Sequence, residues 1–361
     1  MRFIKNIIKR ILKKYGYRIK RIQPESEKIN KIQTKLENIP KSQANTNKIK
    51  KPPFDQRIYT PTWRIRNYYA LKEFGPQIKR WFIEQRYTHA LGIFPDLDNP
   101  RTFNEKLHWL NLYYHNPEIT KCCDKYRLKE YVTEKLGSRY TVPVIKTYDR
   151  AAEINFSELP DKFAIKVNWG DGSEFLTVVS DKNKVNENEI KFKFNNAMQP
   201  WNNLYYSHFF WGYKNVKPKI YVEEYLEHTG SDIDDYKFHC FNGEVKFVLV
   251  CEERSHERMK KTFLDLEWNI MPCYRADCDV NHDIVRPDNF DEMIRVAQEL
   301  CKPFPFVRVD LYNVNGRLYV GEMTFHPGCG LEKFTPSEYD YIIGDMLELP
   351  KEKLVEIDER Y

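Results

Sequence analysis

Two short segments late in the chain bring together side chains that could do chemistry: Val307-Arg308-Val309-Asp310 and Gly321-Glu322-Met323-Thr324. Alternate residues of a strand point to one face, so Arg308 and Asp310 share a face of one strand, and Glu322 and Thr324 share a face of the other. If the strands pair, a guanidinium, two carboxylates and a hydroxyl meet on one patch. Two carboxylates held together repel unless a cation lies between them. A few hard oxygen donors, with room left for water and phosphate, suit Mg²⁺ at a nucleotide. Val307, Val309, Leu311, Met323 and Phe325 mark the opposite face as the packed one. The same spacing also fits a solvated hairpin face carrying a structural Arg–Glu pair.

Cation candidates lie on other runs. Phe163-Ala164-Ile165-Lys166-Val167 leads into Asn168-Trp169-Gly170-Asp171-Gly172-Ser173. A lone ammonium in an apolar strand is costly unless it meets an anion. The turn with Gly170, Gly172 and Ser173 can offer N–H groups and a hydroxyl to phosphate oxygens. It lacks the G-x-x-x-x-G-K-[ST] spacing of a P-loop, and Lys166 equally fits a lysine that snorkels beside a hairpin. Tyr221-Val222-Glu223-Glu224-Tyr225-Leu226 passes from apolar to acidic, as a strand end with solvated glutamates also does. Lys237 stands between aromatics, and Asp124-Lys125 is expected to open a helix.

The elements that must position these residues read as an α+β arrangement without internal repeats. Residues 59–142 are expected to be a largely helical N-terminal region, 143–350 the catalytic region and 351–361 a C-terminal tail. Strand-like runs cover 163–169, 175–180, 219–226, 236–241 and 245–251, with Asn242-Gly243 a hairpin turn. A helix is expected from Asp288 to Cys301. A second hairpin joins 306–312 to 317–325 through Asn313 to Gly316. Residues 181–218 offer only aromatic-rich helix candidates. Among these, Tyr205, Tyr206, Trp211 and Tyr213 suit either sugar stacking or core packing. His326 suits either substrate contact or packing.

Of the 361 residues, 41% are apolar and 15% aromatic, too many for a wholly disordered polymer. No run approaches the ~18 apolar residues of a membrane span, and the start of the chain lacks the pattern of a secretory signal. The eight cysteines therefore read as reduced thiols of a cytoplasmic protein, without paired spacing for zinc. Residues 1–60 carry 17 basic and 4 acidic side chains; the other 301 have a net charge of −7. That concentration disfavours a nucleic-acid-binding body. Phe3, Ile4, Ile7, Ile8, Ile11, Leu12 and Tyr15 form one stripe of a basic amphipathic helix over 1–22. Such a helix suits an anionic inner-membrane surface, or docking on the protein's own body or a partner. Residues 23–58 read as a flexible linker.

In this order the segments resemble the ATP-grasp superfamily, and more narrowly its TupA-like branch, named for teichuronopeptide biosynthesis. The resemblance runs from Thr102-Phe103-Asn104-Glu105-Lys106-Leu107 through Asp124-Lys125-Tyr126, Leu159-Pro160-Asp161-Lys162-Phe163 and Asp235-Tyr236-Lys237-Phe238. It continues through Phe304 to Asp310 and Gly321 to Phe325, and ends at Phe334-Thr335-Pro336-Ser337-Glu338-Tyr339. It implies ATP held between two α+β subdomains. Lys125, Lys166 and the Gly170–Ser173 turn would hold its phosphates. The backbone at Glu224, Tyr225 and Leu226, with Glu223, would take the adenine. Asp310, Glu322 and Thr324 would bind Mg²⁺. Arg308 would hold the transferred phosphoryl group, and Lys237 would face nucleotide or substrate carboxylate. Two features depart from the pattern: Thr324 stands where the family has asparagine, and Asp171 and Glu174 place acids in the phosphate turn.

The expected activity is ATP-dependent carboxylate–amine ligation through an acyl phosphate. The resemblance implies partners in a bacterial surface polysaccharide or its lipid-linked glycan precursor, and in an amine or amino acid. With the tail, this suggests a cytoplasmic protein peripheral to the membrane. A glycosyltransferase of polysaccharide biosynthesis and a non-catalytic membrane-bound assembly factor are the rival readings.

Overall fold

The computed structural model describes residues 62–75, 78–170, 172–228, 233–252 and 259–355. The expected tail helix at 1–22 and linker at 23–58 lie outside them, as do Asp171 and the last six residues of the C-terminal tail.

The described chain opens with helices: α1 (Thr62–Phe74), α2 (Ile78–Leu91), α3 (Phe103–Tyr113), α4 (Pro117–Cys123) and α5 (Leu128–Leu136). Local sequence sets their starts. The Thr102 hydroxyl accepts from the Glu105 backbone N–H while the Glu105 carboxylate accepts from the Thr102 N–H, a capping box. Asn116 caps α4 ahead of Pro117. Asp124-Lys125 does not open a helix; it lies in the turn between α4 and α5. There the Asp124 Oδ1 accepts from the N–H groups of Tyr126 and Arg127 at 3.0 and 3.2 Å, a local bond that competes with helix formation.

Two antiparallel sheets follow. The smaller has the order β1-β4-β2-β3, from β1 (Val144–Tyr148), β2 (Phe163–Val167), β3 (Leu176–Val179) and β4 (Ile220–Glu224). Phe163, Ile165 and Val167 face a core shared with Ile190 and Phe194 of α6 (Glu187–Ala197). The alternate positions Ala164 and Lys166 take the other face. Strand β1 was not expected, and β4 ends at Glu224 rather than running to Leu226. The aromatic stretch near 204 yields the short helix α7 (Leu204–His208).

The larger sheet has the order β10-β9-β5-β6-β7, from β5 (Asp235–Phe241), β6 (Glu244–Glu252), β7 (Lys260–Leu264), β9 (Phe306–Val314) and β10 (Arg317–Thr324). Strand β7 was unexpected, as was the small pair β8 (Tyr274–Arg275) and β11 (Phe334–Thr335). Both expected hairpins form through two-residue turns with positive φ at each residue: Asn242 (51°) and Gly243 (79°), Asn315 (52°) and Gly316 (80°). These turns match the strand twist. The second turn is tighter than expected, since the strands reach Val314 and Arg317.

Helix α8 (Phe290–Cys301) starts two residues later than expected and lays Phe290, Met293, Val296, Ala297 and Leu300 against Val307, Val309 and Leu311. The opposite face is divided. Toward one end Phe241, Phe247 and Phe306 pack on Phe103 and Leu107 of α3 and on α9 (Tyr339–Asp345); toward the other the face becomes charged.

Candidate active site

Register brings the charged end together. Asp310 of β9 pairs with Glu322 of β10 on one side and Lys237 of β5 on the other, while Arg308 pairs with Thr324 and His239. This depends on a bulge. Val320 pairs with Leu311, but the next partner of Asp310 is Glu322, leaving Gly321 as the extra residue. Without it, Glu322 would follow Leu318 and Val320 onto the packed face, since a one-residue slip reverses the sides. A Cβ on Gly321 would lie 2.8 Å from the Tyr312 ring, so the bulge also admits this aromatic across the face.

The side chains interlock. Arg308 grips Asp310 with two parallel bonds, Nε to Oδ1 and Nη2 to Oδ2, each 2.7 Å. Its Nη2 also donates to Thr324 Oγ1 at 3.2 Å and to Glu322 Oε1 at 3.5 Å. Lys237 Nζ bridges Asp310 Oδ2 at 2.6 Å and Asp235 Oδ2 at 2.5 Å. Lys125 Nζ reaches Glu322 Oε2 at 2.6 Å from the α4–α5 turn. Burial disfavours the Glu322 charge, yet Lys125, Lys237 and Arg308 together hold its carboxyl well below the usual range. For Asp310, burial wins and raises the carboxyl despite Arg308 and Lys237. Arg308 is held above its ordinary value because Asp310 and Glu322 more than offset its burial.

The smaller sheet supplies a second cluster. Lys166 Nζ and Lys129 Nζ each approach a different oxygen of Glu223 at 2.5 Å. Glu223 is buried; the two lysines overcome that burial and lower its carboxyl below the usual range. Lys166 is raised, because Glu223 outweighs its own burial. Sequence reasoning did not single out Lys129 or Asp235. The Asp124-Lys125 and Lys237 segments were flagged, but a second lysine four residues beyond Lys125 on a helix carries no mark of a partner about 90 positions away.

The remaining expected residues are placed as follows. Gly170 serves packing: a Cβ there would overlap the Phe175 ring at 2.0 Å. Gly172 has φ of 91° and Ser173 is exposed. Glu174 bears no open charge toward the turn, since Arg64 of α1 pairs with it at 2.5 Å. Glu224 is exposed and its N–H donates to Pro143 O at 3.1 Å, leaving Tyr225 and Leu226 as the backbone a base could meet. Leu226 and Tyr312 both pack against the small cluster of Val142, Val314 and Tyr319. Of the aromatics, Tyr205 and Trp211 are buried in cores. His326 stacks on Phe210 with centroids 4.4 Å apart.

The donor set fits a hard divalent cation. Asp310 and Glu322 lie in register, both reached by one guanidinium nitrogen, with the Thr324 hydroxyl beside them. Among the described residues no group of three or more acids, histidines or cysteines is placed to hold a metal ion, so the protein would contribute only these two carboxylates. Two carboxylates with other positions left to water and phosphate are the Mg²⁺ pattern.

A model of the TupA-like ATP-grasp family matches residues 105–348, about two thirds of the chain. The chain belongs to the TupA-like ATP-grasp family. Its fold is therefore the α+β ATP-grasp fold, with the match beginning inside α3 and ending just beyond α9. No curated protein matches. Solved structures that are similar include D-alanine–D-alanine ligase from Bacillus anthracis, 17% identical, TM-score 0.35, covering 56% of this chain and 57% of that one. The ATP-grasp ligase PsnB, in complex with a phosphomimetic precursor variant, Mg and ADP, is 11% identical with TM-score 0.34, over 64% and 60%. N5-carboxyaminoimidazole synthetase from Staphylococcus aureus with ADP is 12% identical with TM-score 0.34, over 56% and 44%. The chain thus spans less than two thirds of the length of each of these structures, and the family assignment rests on the family match alone. No helix among the described residues is long and apolar enough to cross a membrane.

Proposed function

We propose that this ATP-grasp protein is an ATP-dependent carboxylate–amine ligase. The observation that carries the reading is the junction of Arg308, Asp310 and Glu322, with Lys125 reaching it. A substrate carboxylate oxygen bonds to the γ-phosphorus of ATP, and the bond to the β-phosphate oxygen breaks, releasing ADP. An amine then bonds to the acyl carbon of the mixed anhydride, phosphate leaves, and the amine loses a proton. Nucleophile and polyphosphate are both anionic, so the site must neutralise several charges while excluding water.

Mg²⁺ held by Asp310 and Glu322, with Thr324 adjacent, would supply charge neutralisation at the phosphates. The chain's own cations do the rest. Lys125 and Lys166 hold phosphate oxygens. Arg308 matches a planar phosphoryl or carboxylate group with its two-pronged donor edge. Tyr225 and Leu226 meet the base.

The acyl group or amine belongs to a bacterial surface polysaccharide, such as a capsule, O-antigen or teichuronic-type polymer, with an amino acid or other amine joined to a uronic acid. Family membership and the basic stretch at 1–22 support this, because lipid-linked glycan precursors lie at the cytoplasmic membrane face. ADP release is to be measured with MgATP, amino acids and glucuronate- or galacturonate-bearing acceptors. Release requiring both an acid and an amine supports the ligase; UDP release from a sugar nucleotide without ATP use overturns it. Deleting residues 1–22 is expected to abolish sedimentation with anionic liposomes, and unchanged sedimentation removes the membrane role.

A further inference from the structure

Lys237 lies between two carboxylates, Asp310 Oδ2 at 2.6 Å, which it shares with Arg308, and Asp235 Oδ2 at 2.5 Å. Asp235 opens β5, two residues before Lys237 on the same face, opposite Tyr312 of β9. It is 2% exposed, a costly place for a carboxylate without a cation beside it. Both oxygens of Asp310 are engaged: Oδ1 by Arg308, Oδ2 by Arg308 and Lys237. Oδ2 therefore already accepts from both cations, and for this oxygen to take a divalent cation one of the two must withdraw. Arg308 is fixed by two parallel bonds to Asp310 and a third to Thr324. Lys237 can withdraw without losing its counter-charge, because Asp235 remains.

We propose that Asp235 is a positioning residue for Lys237, retaining the ammonium when Asp310 turns to the metal and keeping it directed at the reacting anion. This rests on the ligase reading of the site. Asp235 is not itself assigned as a ligand, since the acids of the described residues form no three-member metal group. The role goes to Asp235 rather than Glu322 because Glu322 already receives Lys125.

The test uses the full chain with Asp235→Asn, Lys237→Met and the double variant. Two readouts are taken: calorimetric binding of ADP with Mn²⁺, and the rate of ADP release from ATP. Asp235→Asn is expected to leave the Mn²⁺–ADP dissociation constant within about threefold of the original while kcat falls at least about tenfold. It should add nothing in the Lys237→Met background, as for two residues acting as one unit. A tenfold loss of Mn²⁺–ADP affinity that persists in that background would make Asp235 a ligand and overturn the proposal, as would an unchanged kcat. Should Asp235→Asn fail to fold, Asp235→Glu makes the same distinction between lost kcat and lost affinity. Failure of the ligase reading has its own signature: Asp310→Asn binds Mn²⁺–ADP normally and the unaltered chain releases no ADP. That result removes both ideas.

Discussion

The two charged clusters differ in their balance of acids and cations. On the larger sheet, Asp235, Asp310 and Glu322 outnumber Arg308 and Lys237, and Lys125 arrives from a helical turn to balance them. On the smaller sheet a single acid, Glu223, faces two lysines, 129 and 166. Coulomb attraction between unit charges at 4 Å is about 4 kcal/mol at an effective dielectric of 20, so the charges each cluster offers bias the guest it suits. The clustered carboxylates of the larger sheet suit a metal ion, and the lysine excess beside the smaller one suits phosphate. A metal–nucleotide complex carries both charges, which is the basis for proposing that it engages the two clusters together.

The largest expected effect comes from breaking the carboxylate cluster of the larger sheet. Asp310→Asn should lower ATP turnover at least about 100-fold, the scale of losing a key electrostatic stabiliser, and weaken Mn²⁺–ADP binding by calorimetry. Breaking the lysine-rich side costs stability first: Glu223→Gln leaves two lysines without their acid. It should destabilise by roughly 3 kcal/mol, the low end for removing one member of a buried pair, read by denaturant melts. Lys166→Met should raise the KM for ATP about tenfold with a smaller change in kcat, matching the loss of one charged contact near 1.4 kcal/mol. Gly321→Ala, which presses on Tyr312, should cost about 1–3 kcal/mol and reduce activity.

The subtlest contrast is in pH dependence. Glu223 and Glu322 are both held below the usual carboxyl range by their cations. Their contribution is therefore complete above an unfolded value of about 4.3 and is lost as pH falls through their folded values. Asp310, raised by burial, acts in the opposite sense: it favours the fold at pH below its unfolded value of about 3.9, and that advantage is lost as pH rises through its folded value. Acid melts should show a shallower loss of stability in Glu223→Gln than in the original chain; identical acid limbs would contradict the role of the two lysines.

Much of this was legible beforehand where information is local. The Asn242-Gly243 turn, the helix expected from Asp288 to Cys301 and the apolar alternation of β9 read directly from neighbouring residues. Arg308, Asp310, Glu322 and Thr324 were expected on one patch, and the register places them there. Other features depend on distant partners. Strand β1 carries only five residues, Val-Ile-Lys-Thr-Tyr, and becomes a strand by pairing with β4 some 75 positions later. Glu174 looked like a misplaced charge in the phosphate turn until Arg64, 110 positions earlier, closed on it.

The chain's own order of residues determined which side chains alternate, where turns break and where helices start, because those depend on backbone geometry within a few positions. Tertiary structure decided the rest. The one-residue bulge at Gly321 determines that Glu322 faces the charged cluster instead of the core, and only the folded sheets decide which cation each acid receives. Charge pairing acts through space across a low-dielectric interior, and sequence separation does not measure that distance.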